Sequence, residues 1–391
     1  MTLAATISQA HALDGREAGL QVAHQALNSL GSVSPSFGFV FTPYRYDASQ
    51  IMNGITSLVG NVPIIGMSTS ATIDRTGLET NSVTLALVGG SDIRAEAHWF
   101  PNYSQSSQDT AVRITQLFNY EQQIPTRSLI VFGDGFNGDP EIFCENLSAQ
   151  MPLFGALANG DLNAGTTHQI SGSQSSTGSL AATILRGNIR MGVGHGHGWR
   201  PVGNRFRVTR ARGYWLRTLD GRPASEAYAQ LFGFPARDWA FPPLNTLTRI
   251  YPLGLEKGSA ADLLLRSPMR IEADGSFRMN VSIHDGTDAY LLIGSPDACQ
   301  KAAAQAAQNA LIDLGDAKPA LAVVLVDAGW QMLLQSRAGM EIESVQKVIG
   351  DKVPVIGAYT LGQFIPAGES DQHPRFLNQH IAVALFGEPE A

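Results

Sequence analysis

The most distinctive chemistry-bearing stretch is Val193-Gly194-His195-Gly196-His197-Gly198-Trp199-Arg200-Pro201. If it begins as a strand, the side-chain period of two puts His195 and His197 on one face. Two imidazoles so placed could ligate a metal, and either alone could be an axial haem ligand. The sequence around them holds no Cys, Asp or Glu cluster to complete a structural metal site. The competing reading is a glycine-flanked turn with backbone-bonded histidines. Gly66-Met67-Ser68-Thr69-Ser70 follows an apolar run and matches a G-x-S-x-G nucleophile elbow except at its last position. An elbow needs a helix directly after it. Ala71 to Gly77 reads instead as a turn, so Ser68 is expected in a ligand-binding hydroxyl and amide turn rather than as a nucleophile. Asp134-Gly135-Phe136-Asn137-Gly138-Asp139 closes a further apolar run. Strand ends of this kind line ligand crevices in open α/β sheets, and they also make tight side-chain-bonded turns. An EF-hand does not fit, because Phe136 and Gly138 occupy ligand positions and Asp139 stands where the loop needs glycine.

Arg200, Arg205, Arg207, Arg210, Arg212 and Arg217 form a basic stretch. It reads as a solvated strand face or as an anion or partner surface. Cys144 and Cys299 lie in helical patterns as small core residues. The dinucleotide fingerprint, the P-loop and H-E-x-x-H are missing.

The elements that must position these residues recur. Leu20, Ala23, Leu27 and Leu30 mark one helix stripe, followed by Gly31 as a stop, Pro35, and a buried strand over 37–41. Ala304, Ala307, Leu311 and Leu314, then Gly315, Pro319 and a strand over 321–326, repeat this at a constant offset of 284 residues. Downstream, Pro63-Ile64-Ile65-Gly66 matches Pro354-Val355-Ile356-Gly357, each glycine closing its strand. The strands over 82–89 and 380–387 match in turn. A weaker copy lies between, with a strand over 128–132, a helix over 140–150, Pro152-Leu153-Phe154-Gly155 and a strand over 179–185. Such units predict an α/β fold of mixed sheets with packed helices, in two related halves. Alternation in the strand over 82–89 predicts one face against a polar or second layer. The stretch over 199–253 reads as loop-rich, and the halves are placed at 1–214 and 215–391.

With 391 residues the chain is long enough for two domains. Charged residues make up 16%, against about 25% on average. That balance excludes disorder, and a net charge of −7 argues against a nucleic-acid binder. Two cysteines exclude a disulfide framework. No secretory pattern opens the chain and no run of about 18 apolar residues occurs, so a cytoplasmic protein without a membrane span is expected.

The ordered motifs resemble a known family. Pro63 to Thr69, Asp134-Gly135, Phe154 to Ala158 and His197-Gly198-Trp199-Arg200-Pro201 are similar to the FIST N-terminal domain. Leu219 to Ala224 and Gly357-Ala358-Tyr359-Thr360-Leu361-Gly362 are similar to its companion, the FIST C-terminal domain. The resemblance implies an intracellular sensory module for small ligands, amino acids among them, working with histidine kinases or other signalling proteins. It also implies a haem alternative, since one bacterial branch senses nitric oxide; His197 or His195 would then hold the iron. Met67 replaces the family's cysteine, Ala71-Thr72 its Gly-Glu pair and Gln363 a glutamate, and Asp327 to Trp330 stand where a cysteine-containing strand end is usual. Thiol sensing is therefore not expected. The expected ligand-binding residues are Gly66, Ser68, Asp134, Gly155, His197, Trp199, Arg200 and Tyr359, with no catalytic residue and no cofactor outside the haem alternative.

Overall fold

A computed structural model describes residues 3–120, 126–148, 152–161, 165–241, 244–256, 263–368 and 371–389. The first unit runs β1 (Ala4–Ala10), α1 (Gly15–Leu30), β2 (Phe37–Pro43), α2 (Ala48–Val59), β3 (Ile64–Thr69), a hairpin of β4 (Thr72–Asp74) and β5 (Gly77–Glu79), and β6 (Val83–Gly89). The second repeats it as β7 (Ile93–Phe100), α3 (Ser107–Tyr120), β8 (Thr126–Gly133), α4 (Pro140–Glu145), β9 (Leu153–Leu157), β10 (Gln169–Ser171), β11 (Gln174–Ser176) and β12 (Leu180–Gly187). The expected helix over 140–150 ends at Glu145, and part of its remainder lies outside the described residues.

The third unit opens with β13 (Arg190–Gly196) and is then interrupted by an inserted sheet. The insert contains β14 (Trp199–Arg212), β15 (Trp215–Leu219), β16 (Arg222–Pro223), α5 (Ser225–Phe232), α6 (Leu244–Leu247), β17 (Leu253–Glu256), β18 (Leu263–Arg266), β19 (Pro268–Ile271), β20 (Phe277–Met279) and β21 (Asp288–Gly294). The stretch expected to be loop-rich is thus largely strand and short helix. The unit resumes with α7 (Pro296–Leu314), β22 (Lys318–Asp327), α8 (Ala328–Leu334), α9 (Met340–Ile349), β23 (Val355–Thr360), β24 (Gln363–Ile365), β25 (Arg375–Leu377) and β26 (Ile381–Glu388).

Three six-stranded sheets share one order and sense: β1-β6-β2-β3-β10-β11, β7-β12-β8-β9-β24-β25 and β13-β26-β22-β23-β4-β5. In each, the central pair is parallel (β2 with β3, β8 with β9, β22 with β23) and the flanking pairs are antiparallel. Each unit gives its hairpin to another unit's sheet: β10–β11 to β3, β24–β25 to β9, and β4–β5 to β23. The mixed α/β class therefore holds, and sheets take strands from both sides of residue 214.

The inner faces of these sheets meet in one core, where Phe39 packs on Phe386 at 5.7 Å and Phe41 on Phe132 at 5.6 Å between ring centroids. The outer faces are covered by helices: α1 and α2 on the first sheet, α3 and α4 on the second, α7 and α9 on the third. The second layer expected over β6 is present, and all seven of its residues are buried. Caps set the helix ends. Asp14 accepts from the Glu17 N–H at 2.8 Å, a contact that contributes about 1 kcal/mol, and Gly31 and Gly315 end α1 and α7 with φ of 69° and 73°.

Glycine explains the recurring Pro-apolar-apolar-Gly motif. Gly66, Gly155 and Gly357 do not end their strands; they lie within them, opposite Val40, Val131 and Val324. A Cβ at these positions would stand 2.0, 1.9 and 2.0 Å from the valine carbonyl oxygens, so the parallel pair closes only over glycine.

Candidate functional site

A polar cleft with a volume of about 1090 Å³ lies where the carboxyl end of β8 faces the inserted sheet. On the first side, Asp134 is buried and accepts from Phe136 N–H (2.7 Å), Asn137 N–H (3.0 Å), Thr177 Oγ1 (2.9 Å) and Gly178 N–H (2.6 Å). This network fixes the turn that leads to Asp139, which caps α4 through the Glu141 and Ile142 N–H groups, both at 3.0 Å. The other side carries arginines: Arg249, Arg270 and Arg278 line it, Arg270 being paired with Glu272. Arg278 lies over the rings of Tyr214 and Trp215 at 5.4 and 5.1 Å. Tyr214 spans the cleft, donating to Asp139 Oδ2 at 3.0 Å, and burial followed by the Asp139 charge pushes its phenol well up. Asn245 and Asn280 also line the cleft, and their Oδ1 atoms are buried without a partner among the described residues. Such orphaned acceptors are rare in folded proteins and suit a donor supplied by a ligand.

Asp327 is the third unit's counterpart of Asp134, at the end of β22. It accepts from Gly329 N–H at 2.9 Å and Gln379 N–H at 2.8 Å. Burial raises its carboxyl to about 6, against the pull of those N–H groups and of Arg249. Arg249 lines both the main cleft and a small cavity beside Asp327.

The other sequence-selected residues are dispersed. Ser68 is fully buried; it donates to the Asn159 carbonyl at 2.8 Å and accepts from His168 N–H at 3.0 Å, joining β3 to the neighbouring unit. Gly66 and Gly155 serve strand packing, as above. Tyr359 lies beneath α9, where its hydroxyl donates to the buried Glu341 carboxylate, whose pKa burial raises. Trp199 is buried, donates to the Ile250 carbonyl at 3.1 Å and packs on Trp330 at 5.9 Å. Arg200 is exposed on β14. Of the eight, only Asp134 lines the cleft. The arginines, asparagines and Tyr214 that complete it have no spacing signal, because they come from turns, strands and short helices that only the insert brings together.

The glycine–histidine stretch solves a packing problem. Gly192, Gly194, Gly196 and Gly198 alternate along one face, and a Cβ on them would meet α7 at 2.3, 2.0, 2.9 and 2.5 Å. Alanines 303, 306, 307 and 310 let that helix lie on the strand. His195 and His197 face the other way, against a third imidazole that the sequence did not reveal. His380 is fully buried, with ring centroids 5.6 and 4.9 Å from theirs. Burial holds all three below the ordinary histidine range, His195 at about 4. Among the described residues no three His, Cys, Asp or Glu side chains converge on a metal position. Neither His195 nor His197 lines the main cleft or the cavities beside α9 and behind α4. With α7 closing the opposite strand face, the two rings lie against His380. The exposed Arg205 and Arg207 pair with Asp288 at 3.1 and 2.9 Å.

Family models match over most of the chain: the FIST N domain over residues 36–222 and the FIST C domain over 224–366. The chain belongs to the FIST family. FIST domains are small-ligand sensory domains of signalling proteins. No curated protein matches the chain. Among solved structures, a cyanuric acid hydrolase, described as an evolutionary innovation by structural concatenation, is similar at 7% identity over 100% of both chains, with a TM-score of 0.38. PurL of T. maritima complexed with ATP is similar at 9% identity over 99% of this chain and 72% of that one, with a TM-score of 0.24. Among the described residues no helix is long and apolar enough to cross a membrane.

Proposed function

We propose that this FIST protein is an intracellular sensor that binds a small zwitterionic metabolite, such as an amino acid, and passes the signal to a partner, a histidine kinase being the leading class. The observation that carries the reading is the charge division of the cleft. Asp134 and Asp139 stand on the β8–α4 side, and Arg249, Arg270 and Arg278 on the side of the insert. A ligand with an ammonium at one end and a carboxylate at the other complements both walls. The acidic side acts through its charge, since its oxygens already accept from the turn, α4 and Tyr214. The arginines act through charge-assisted hydrogen bonds, which are the strong ones. Binding rather than catalysis is supported by Ser68, whose hydroxyl is committed to the sheet junction.

A thermal-shift screen with the proteinogenic amino acids and small carboxylic acids tests the proposal. A ligand at about 100 times its Kd raises stability by about 2.7 kcal/mol, and Arg278→Met should reduce that shift. If no compound of the panel moves the melting temperature, the reading is wrong.

A further inference from the structure

We propose that Gln379 is a positioning residue that sets Arg249 as an anion-binding group of the cleft, an inference that rests on the ligand-cleft reading above. Gln379 is buried and its backbone is left-handed, with φ of 61°, a conformation disfavoured for a residue with a Cβ. The same place in the second unit, two residues before β12 as Gln379 is before β26, is held by Gly178 with φ of 72°. The two residues make the same backbone contact: Gly178 N–H donates to Asp134 Oδ2 and Gln379 N–H to Asp327 Oδ2. The third unit therefore carries a side chain where the backbone favours glycine. Strain of this kind persists only where the surroundings over-determine it, and it concentrates at ligand clamps. Here Asp327 holds the amide, and Trp330 Nε1 donates to the Gln379 carbonyl at 2.9 Å.

What glycine could not supply is the amide side chain. Its Nε2 donates to the Arg249 carbonyl at 2.6 Å and to Ser267 Oγ at 2.7 Å, crossing from the third unit to the insert. Gly329 leaves room for it, since a Cβ there would stand 2.3 Å from Gln379 Oε1. Arg249 needs such fixing. Among the described residues its guanidinium donates only to the Met269 carbonyl, through Nε at 3.4 Å and Nη2 at 3.3 Å, and has no carboxylate within ion-pair distance. The Asp327 carboxylate acts on it through space without an ion-pair contact. A largely buried guanidinium that no carboxylate contacts, at a cleft wall, is a site for an oxyanion, provided its backbone stays in place.

The test compares wild type with Gln379→Gly, which relieves the strain and removes the clamp. Gln379→Asn, a second variant, tolerates the left-handed conformation but is one methylene too short. The readouts are melting temperature, the rate of phenylglyoxal modification at Arg249 mapped by peptide mass, and protection of Arg249 by inorganic phosphate. Arg278 serves as the internal control. The expected result is an unchanged or raised melting temperature, roughly fivefold faster labelling at Arg249 alone, the factor one net hydrogen bond supplies, and phosphate protection that is strong in wild type and lost in both variants. Equal labelling rates, or a lowered melting temperature with equal rates, would show a purely structural role and overturn the proposal. So would wild-type Arg249 that phosphate does not protect. If the amino-acid panel fails while phosphate protects Arg249, the zwitterion reading falls and this inference stands.

Discussion

Acidification should destabilise this protein through His195, by an amount the structure sets. Its pKa is held at about 4, first by burial and then by the Arg375 and His197 charges, against 6.5 for the free group. A depressed histidine contributes stability that is complete above 6.5 and is lost as the pH falls towards 4. With 1.36 kcal/mol per pKa unit, the loss is about 2 kcal/mol by pH 5 and about 3 kcal/mol below pH 4. His197 and His380, also depressed by burial, act in the same direction. Asp327 acts in the opposite one: its carboxyl sits at about 6 rather than 3.8, so its stabilising contribution is present at low pH and lost as the pH rises through 6. The wild-type curve mixes these contributions, and the diagnostic quantity is the difference between wild type and His195→Gln. Urea unfolding at pH 7.5, 6 and 5 should show that difference changing by about 2 kcal/mol across the series. Parallel curves, within about 0.5 kcal/mol, would refute the placement of His195 in a buried imidazole cluster.

Two further outcomes are expected. Gly155→Ala should cost more than about 4 kcal/mol, since its Cβ would stand 1.9 Å from the Val131 carbonyl oxygen and neither strand can withdraw; denaturant midpoints would show this, and a loss below 1 kcal/mol would contradict the strand packing. Folded protein should resist iodoacetamide at pH 8, because burial pushes the Cys299 thiol to about 12 and the Cys144 thiol well up; rapid alkylation without denaturant would place a thiol at the surface.

The repeated unit was legible because its signals are local. Helix stripes, glycine stops and apolar strand runs follow from backbone geometry within a few residues, and β2, β6, β8, β12, β22 and β26 all lie where those signals put them. The edge strand β1 escaped notice because most of its residues are only half-buried and its one strand neighbour, β6, lies more than seventy residues away. The cleft was legible only at Asp134, whose strand-end turn has a sequence signature; its arginine wall arises from the insert, and of that wall only Arg249 lies in the stretch over 199–253 that reads as loop-rich.

The sequence by itself determined the central elements of the repeated unit, their recurrence and the family, since these depend on periodicity and on motif order. Only the tertiary structure decided how the units interlock and what the conspicuous residues do. Each hairpin completes a sheet in another unit, so contacts such as Ser68 with Asn159 and Gln379 with Arg249 join residues with no fixed spacing. It also reassigned the Gly-His-Gly-His run. Alternate glycines there let α7 rest on β13, and a strand that close to a helix leaves its histidines facing inward against His380. Close backbone approach is a property of two segments at once, and one segment's sequence does not contain it.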